Sequence, residues 1–396
     1  MTRRLSIAVV VVLGALSASS SVGCTKNQLL DIAMSGATRP ILPHGSHVGD
    51  RVILAGDMHC HVMPPDSAHH VSRELPETLA LADAEGLDFV VLTPHVPARF
   101  YMDDELRGYV LETQAQLRVR IARLTPHVLV VPGFEYTDHR NGHLGMSFAD
   151  PSEVLGGLTS EEARNDPERF FEMWVARGGI LTINHPMNRP LPNAPFHELG
   201  ADMSWRAFRG MPVAPEIAWV TAHATAIETF NSMVSGLRDQ FMIGDEDRSL
   251  REAAHVVDEA VRTQHRRIAS VGGSDSHGDW LRATTFVLAK DRSVESLRKG
   301  IVGGHTCVRG PEACTLELRD APDAAWLGVG DAITTTSSTF EARASGDDVT
   351  FVVNGAPVAR AGDGQITKLH VPTDRCTIVR AIVGRSWSSG IYVNCF

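Results

Sequence analysis

The stretch Val52-Ile53-Leu54-Ala55-Gly56-Asp57-Met58-His59-Cys60-His61 decides how the rest of the chain is read. Its first half is a short apolar run, and its second half turns polar and ends in two histidines at i and i+2. In extended chain, residues two apart share a face, so His59 and His61 point one way and Cys60 the other. Two imidazoles about 7 Å apart along a strand can converge on one ion. Asp66 follows in a loop opened by Pro64 and Pro65. One H-x-H is weak evidence for a metal, so its weight depends on whether the pattern recurs.

It recurs along the next 220 residues. The apolar run Leu87-Leu92 ends in Thr93-Pro94-His95, and Val128-Val131 ends in Gly133-Phe134-Glu135, with His143 eight residues later. Ile180-Ile183 ends in Asn184-His185, and Ile268-Val271 ends in Gly272-Gly273-Ser274-Asp275-Ser276-His277. Two further apolar runs, Ala226-Phe230 and Thr285-Leu288, are of similar length. Near-continuous apolar runs suit strands covered on both faces. Between them Asp104 to Leu124, Ser160 to Arg177, Asp245 to His265 and Ser293 to Lys299 have helical spacing, and a shorter helix from Leu75 stops at Gly86.

Strand and helix alternating in this way predict an α/β fold with a mostly parallel sheet. About seven strands over this length favour a closed barrel. In such a barrel the C-terminal strand ends open on one face, where sites are built, and five of these runs end in His, Asp or Glu. From about Cys314 to Phe396 helical spacing disappears, short apolar segments alternate with Gly, Asp, Asn and Pro, and Asn354-Gly355 signals a hairpin. The expectation is a barrel over 51–313 and a small all-β domain over 314–396, with a third layer of the barrel as the alternative for the latter.

Residues 1–23 combine Arg3 and Arg4, an apolar run Leu5 to Leu16, and a small polar tail. That order is a secretory signal, too short to span a bilayer comfortably. Ser21-Val22-Gly23-Cys24 resembles a lipoprotein cleavage box, with Ser21 where Leu is usual and Cys24 as the acylated residue. Residues 25–50 read as a tether. Export, to the periplasm or the outer surface, permits disulfides. Cys307 with Cys314 and Cys376 with Cys395 are plausible pairs, and Cys60 reads as a free buried thiol. The formal net charge is −10, from 37 basic and 47 acidic residues. That balance gives no general attraction for nucleic acid or anionic membranes, so the expected partner is a small molecule, with a membrane reached only through the lipid anchor. Oligomeric state is not legible.

His59, His61, Asp66, His95, Glu135, His143, His185, Asp275 and His277 thus form one candidate set. One ion takes four to six ligands, so nine imply two or three ions with shared carboxylates. Imidazole and carboxylate without thiolate suit Zn, Mn or Fe.

In order and spacing, from about Val52 to Val308, these motifs resemble the PHP (polymerase and histidinol phosphatase) family. The resemblance implies a distorted (β/α)7 barrel with a trinuclear centre. His59, His61, Glu135 and Asp275 would hold one ion, and Glu135 would bridge to a second completed by His143 and His185. Asp66, His95 and His277 would hold the third. Glu135, Asp275 and His277 would lie closest to the chemistry. Pro94 stands where the family often has Asp, which bears on how His95 is oriented. Ile227-Glu228-Thr229-Phe230-Asn231 resembles the family's strand before the last motif. Ser389-Gly390-Ile391-Tyr392-Val393 resembles an ending of the extracellular, carbamate-hydrolase-like (CehA/McbA) branch, which also carries a C-terminal β domain.

Clustered divalent ions lower the pKa of a bridging water and clamp the oxygens of a transition state. The expected activity is therefore metal-dependent hydrolysis, of phosphoesters first and of carbamates, esters or amides second. A non-catalytic metal-binding surface protein is the reading from another class. Arg99, Arg189 and Arg282 follow strand ends and are candidates for binding a substrate phosphate.

Overall fold

The computed structural model describes residues 45–190, 201–234 and 246–396. The signal segment 1–23, Cys24 and the tether up to residue 44 lie outside the described residues. No helix among the described residues is long and apolar enough to cross a membrane.

The first long strand, β1 (Arg51–Cys60), is buried from Ile53 onward, as its unbroken apolar character requires. Helix α1 (Leu75–Ala84) follows it, with Pro at its start and Gly86 at φ +70° beyond its end, a conformation that suits glycine. Next come β2 (Phe89–Leu92), the short β3 (His95–Pro97) and the long helix α2 (Asp104–Leu124), whose N-cap Asp103 accepts from the amides of Glu105 and Leu106. Strands β4 (Leu129–Asp138) and β5 (Gly142–Ser147) form an antiparallel pair. Helix α3 (Glu168–Ala176) leads to β6 (Ile180–Ile183), and α4 (Pro215–His223) leads to β7 (Ala226–Asn231). Helix α5 (Glu246–Gln264) precedes β8 (Ala269–Gly273), followed by β9 (Thr285–Ala289), α6 (Val294–Val302) and β10 (Thr306–Val308).

Pairing is parallel from β1 to β2 to β4 and again from β6 to β7 to β8. Two departures from the expected parallel sheet stand out. Strand β5 is inserted antiparallel between β4 and β6, and β9 pairs antiparallel with β1. Neither orientation is legible in an apolar run, which has no direction. The curved sheet draws its ends together, where Cys60 bridges Ser276 in parallel and the Asp275 amide donates to the His59 carbonyl at 2.8 Å.

Beyond residue 313 the chain is β-rich. Strands β11 (Glu317–Arg319), β12 (Thr339–Arg343) and β15 (Thr367–His370) form a small antiparallel sheet, while β13 (Val349–Val353) and β14 (Ala356–Ala361) form a hairpin whose first strand pairs with residues 379–383. Strands β16 (Thr377–Val383), β17 (Ser386–Ser388) and β18 (Ile391–Val393) carry this region back to the larger sheet, where β17 pairs with β10. The contact is buried and polar as well as backbone-paired. Arg380 of β16 is bonded to Asp258 of α5, and Ser389 Oγ accepts from the Ser270 amide of β8. Cys307–Cys314 and Cys376–Cys395 are disulfides, and Cys60 is free and buried.

Candidate metal centre

All nine candidates are in the described residues, and their strands converge on one rim. His59 and His61 come from the end and exit of β1, Glu135 from β4, and His185 and Asp275 from the exits of β6 and β8. His143 arrives differently. It stands near the start of β5, and because β5 runs antiparallel, its beginning lies beside the ends of its neighbours. His185 (φ 28°) and Asp275 (φ 55°) have left-handed backbone, which costs on the order of 1 kcal/mol for a side-chain-bearing residue and clusters at functional sites.

One group is formed by His59, His61 and Asp275, with Glu135 beside it. The Nε2 atoms of His59 and His61 are 3.2 Å apart, and His59 Nε2 lies 3.2 Å from Glu135 Oε1 and 3.6 Å from Asp275 Oδ1. His61 Nε2 lies 3.3 Å from Asp275 Oδ1 and 4.0 Å from Glu135 Oε2. Four donors about 2.1 Å from one ion in a tetrahedron would be about 3.4 Å from each other. The side chains therefore already stand at the spacing of a divalent-ion cage, and their donor chemistry fits one.

Glu135 reaches a second group with the same oxygen. His143 Nδ1 and His185 Nε2 each lie 3.4 Å from Glu135 Oε1, and the Asn184 amide donates to that oxygen at 2.8 Å. A third group gathers His61, His95 and His277, with the His95 and His277 rings stacked on His61 at centroid distances of 4.1 Å each. His277 Nδ1 is held by the Asp275 carbonyl at 2.8 Å, leaving Nε2 as its other donor atom.

Asp66 takes a different place from the one the resemblance implies. Its Oδ2 lies 3.1 Å from His61 Nδ1, and its Oδ1 accepts from the His95 amide and lies 2.9 Å from His95 Nδ1. It thus stands behind two imidazoles and fixes their orientation. This also answers the question raised by Pro94, since His95 is oriented by Asp66.

The electrostatics are those of an acid-rich cage. Burial works against a charged His59, but Asp275, Glu135 and Glu228 outweigh it and raise its pKa well above the usual value. His61 is likewise opposed by burial and lifted by hydrogen bonds to Asp275 and Asp66, to about 9. Burial would raise Glu135, yet His143 and His59 hold it well below the carboxylate range. His277 goes the other way: burial and neighbouring His61 push it well below the usual value.

Glu228 is the functional residue to which sequence reasoning gave no role. It is 2% exposed, its Oε1 faces His59 Nδ1 at 3.2 Å, and its Oε2 accepts from the His185 amide at 2.5 Å. Asn231 Nδ2 ties it to Asp275 Oδ2 at 3.2 Å. The available signal was a carboxylate inside an otherwise apolar strand, which folding tolerates only when it is bonded. Gly273 is required beside it, because a Cβ there would collide with the Glu228 carboxylate and with His59.

The three arginines are less central. Arg99 is ion-paired to Glu216 at 2.6 Å and Asp138 at 3.5 Å. Arg189 is half exposed and pairs with Glu252 at 3.6 Å, and Arg282 is half-buried beyond the His277 loop.

No protein-family model and no curated protein matches the chain. It is similar to solved structures at low identity. A two-domain protein from Bacteroides vulgatus ATCC 8482, containing a predicted PHP-like metal-dependent phosphoesterase, aligns with TM-score 0.43 and 17% identity over 90% of this chain and 98% of that one. The lesion-specific endonuclease Q of Pyrococcus furiosus aligns with TM-score 0.36 and 16% identity, over 64% of this chain and 56% of that one. Endonuclease Q with a 27-mer duplex bearing an abasic lesion gives TM-score 0.37 and 17% identity, over 64% and 57%. The last two correct one expectation: nucleic acid is not excluded as a partner, because these are proteins that act on DNA. Net charge averages over the whole surface, whereas bound cations invert the field locally, so an acidic total is no bar to a phosphodiester.

Proposed function

We propose that this chain is a PHP-type metal-dependent hydrolase whose reaction is cleavage of phosphoesters, in the first place those of small molecules. The observation that carries the proposal is the shared position of Glu135. One carboxylate oxygen stands at cage distance from His59 on one side and from His143 and His185 on the other. That is the arrangement of a bridging ligand between two divalent ions, Mn, Zn or Fe by donor type.

In this reading His59, His61, Glu135 and Asp275 hold one ion, and Glu135, His143 and His185 hold the next. His95 and His277 flank a third position beside the His61 ring, with Asp66 bonded to His61 and His95. Bound there, the ions supply Lewis acidity toward the substrate oxygens and an activated water. The protein's own contribution is to fix geometry. Asp66 and Glu228 lock ring orientations, Asn184 holds the bridging carboxylate, and burial excludes bulk water. The finer fold reading belongs to the same proposal: a distorted (β/α)7 barrel over 51–313 followed by a β-rich region over 314–396. So does export through residues 1–23 with Cys24 as a lipid anchor, which rests on sequence alone.

The test is a hydrolase panel on metal-loaded protein, with phosphomonoesters, phosphodiesters including an abasic-site duplex, carbamates and arylesters. Phosphoester turnover that chelation abolishes and Mn, Zn or Fe restores is expected. Turnover of the carbamates and arylesters alone would overturn the phosphoester assignment, and metal content below one equivalent after reloading would overturn the centre.

A further inference from the structure

We propose that Asp57 is a positioning residue of the metal centre. Its carboxylate clasps the segment bearing Asp275 and His277 to the segment bearing His59 and His61, and so sets their spacing before any ion enters. The inference rests on the metal-centre half of the reading above and is independent of which bond the centre cleaves.

Asp57 lies in β1, two residues before His59, and is fully buried. A carboxylate so placed is tolerated only when donors surround it. Its Oδ1 accepts from the His59 amide at 3.0 Å and from the Ser274 amide at 2.8 Å, with Thr284 Oγ1 3.3 Å away. Its Oδ2 accepts from the Ser274 hydroxyl. Asp57 belongs to none of the groups whose donor atoms converge as the ligands of an ion would. Both of its oxygens are instead engaged by the framework of the centre.

The place of these bonds gives them their weight. Strand β1 meets the exit of β8 through an isolated bridge, Cys60 to Ser276, and through no ladder among the described residues. Backbone bonds at this seam run from the Asp275 amide to the His59 carbonyl at 2.8 Å and from the His61 amide to the Ser276 carbonyl at 3.1 Å. Asp57 reinforces them from one side chain, bonded to His59 itself and, 217 residues away in sequence, to the residue before Asp275. Ser274 Oγ extends the clasp by accepting from the Ser276 amide at 3.2 Å, next to His277. Asp275 has left-handed backbone at φ 55°, a conformation that persists only where its surroundings fix it. The cage distances that cross this seam are those of Asp275 Oδ1 to His59 Nε2, 3.6 Å, and to His61 Nε2, 3.3 Å. Loosening the seam would change both.

The experiment uses the full chain with cobalt(II) as the probe, whose visible absorption reports both occupancy and ligand geometry. Asp57→Ala removes the clasp and should weaken cobalt binding about 10–100-fold, with a changed absorption band. Asp57→Asn keeps an oxygen for the two amides and offers an NH2 group to the Ser274 hydroxyl, so it should restore both towards the wild type. Ser274→Ala loses the hydroxyl bond alone and should weaken binding about tenfold; it stands in for Asp57→Ala if that does not fold, judged by the same outcomes. A carboxylate that serves stability alone would lower the melting temperature of Asp57→Ala and leave the affinity and spectrum of the folded protein unchanged. That result would overturn the inference. So would Asp57→Asn binding as weakly as Asp57→Ala, since charge and not the clasp would then be what counts. A wild type that binds no cobalt would overturn the centre and the clasp together. Bound cobalt without phosphoester turnover would overturn the hydrolase reading alone, and the variants would still decide the clasp.

Discussion

Glu228 Oε1 lies 3.2 Å from Nδ1 of His59, while Nε2 of the same ring faces Glu135 at 3.2 Å. The imidazole is thus gripped between two carboxylates, one on the side of the ion cage and one behind it. The rear carboxylate fixes the tautomer with hydrogen on Nδ1 and makes Nε2 the better donor to a metal. Glu228→Gln removes the charge but keeps an amide oxygen of similar size. Metal affinity should fall about 10–100-fold while circular dichroism stays native. Competition with a chromophoric chelator measures this, and an unchanged affinity would show that Glu228 plays no part in the centre.

Metal binding should release protons, and the sign follows from the cage. In the metal-free protein His59 is raised well above its usual pKa and His61 to about 9, both by carboxylates that outweigh burial. Both rings therefore carry protons at pH 7, and an entering cation must expel them. His277 and His143, pushed down by burial, are already neutral and contribute none. Apparent affinity should rise with pH up to about 9, the value to which His61 is raised. Titration calorimetry at pH 7 in buffers of different ionisation enthalpy should show a net release of protons as the centre fills. A heat independent of the buffer would contradict the protonation of this pair.

Most donors of the centre were legible because they sit where an apolar run gives way to His, Asp or Glu, a pattern that short-range physics makes unusual. Strand direction was not. Val128 to Val131 reads the same whether its neighbour runs parallel or antiparallel, so the insertion of β5 was invisible although His143 was not. The supporting groups were harder still. Asp66 is a plausible ligand on spacing, and only the three-dimensional approach of His61 and His95 to its two oxygens places it behind them. Glu228 and Asn184 lie within or just after apolar strands, and their partners are 169 and 49 residues away in sequence. No local pattern encodes such a pairing.

Glu135→Gln tests the bridging position directly. The variant keeps the shape and the hydrogen bond from Asn184 but loses the charge shared between two cages. Hydrolysis should drop to the level of the chelated protein, and metal content should fall by at least one equivalent by elemental analysis. The melting temperature of the metal-free form should fall as well, because Glu135 is buried against His59 and its charge is lost from that pair. Full activity with full metal content would remove Glu135 from the centre.

The attachment of the β-rich region to the α/β part of the chain offers a prediction independent of metal. Arg380 and Asp258 are both buried, with Arg380 Nη2 at 2.5 Å and Nε at 3.0 Å from the same carboxylate oxygen, and Nη1 donates to the Ser388 carbonyl at 2.8 Å. Removing one member leaves the other as an uncompensated charge in a low dielectric, which costs about 3–5 kcal/mol. Replacing both with apolar residues of similar volume removes that penalty, because neither ion then has to be desolvated. Asp258→Ala should therefore be destabilised by about 3–5 kcal/mol in urea unfolding, and Asp258→Leu/Arg380→Met by much less. This order is what distinguishes a desolvated ion pair from a surface one, for which either single change would cost less than about 1 kcal/mol. If the double variant were the least stable of the three, the pair would be a net stabiliser of this junction. The Ser388 carbonyl and its partner strand would then depend on the guanidinium for more than charge.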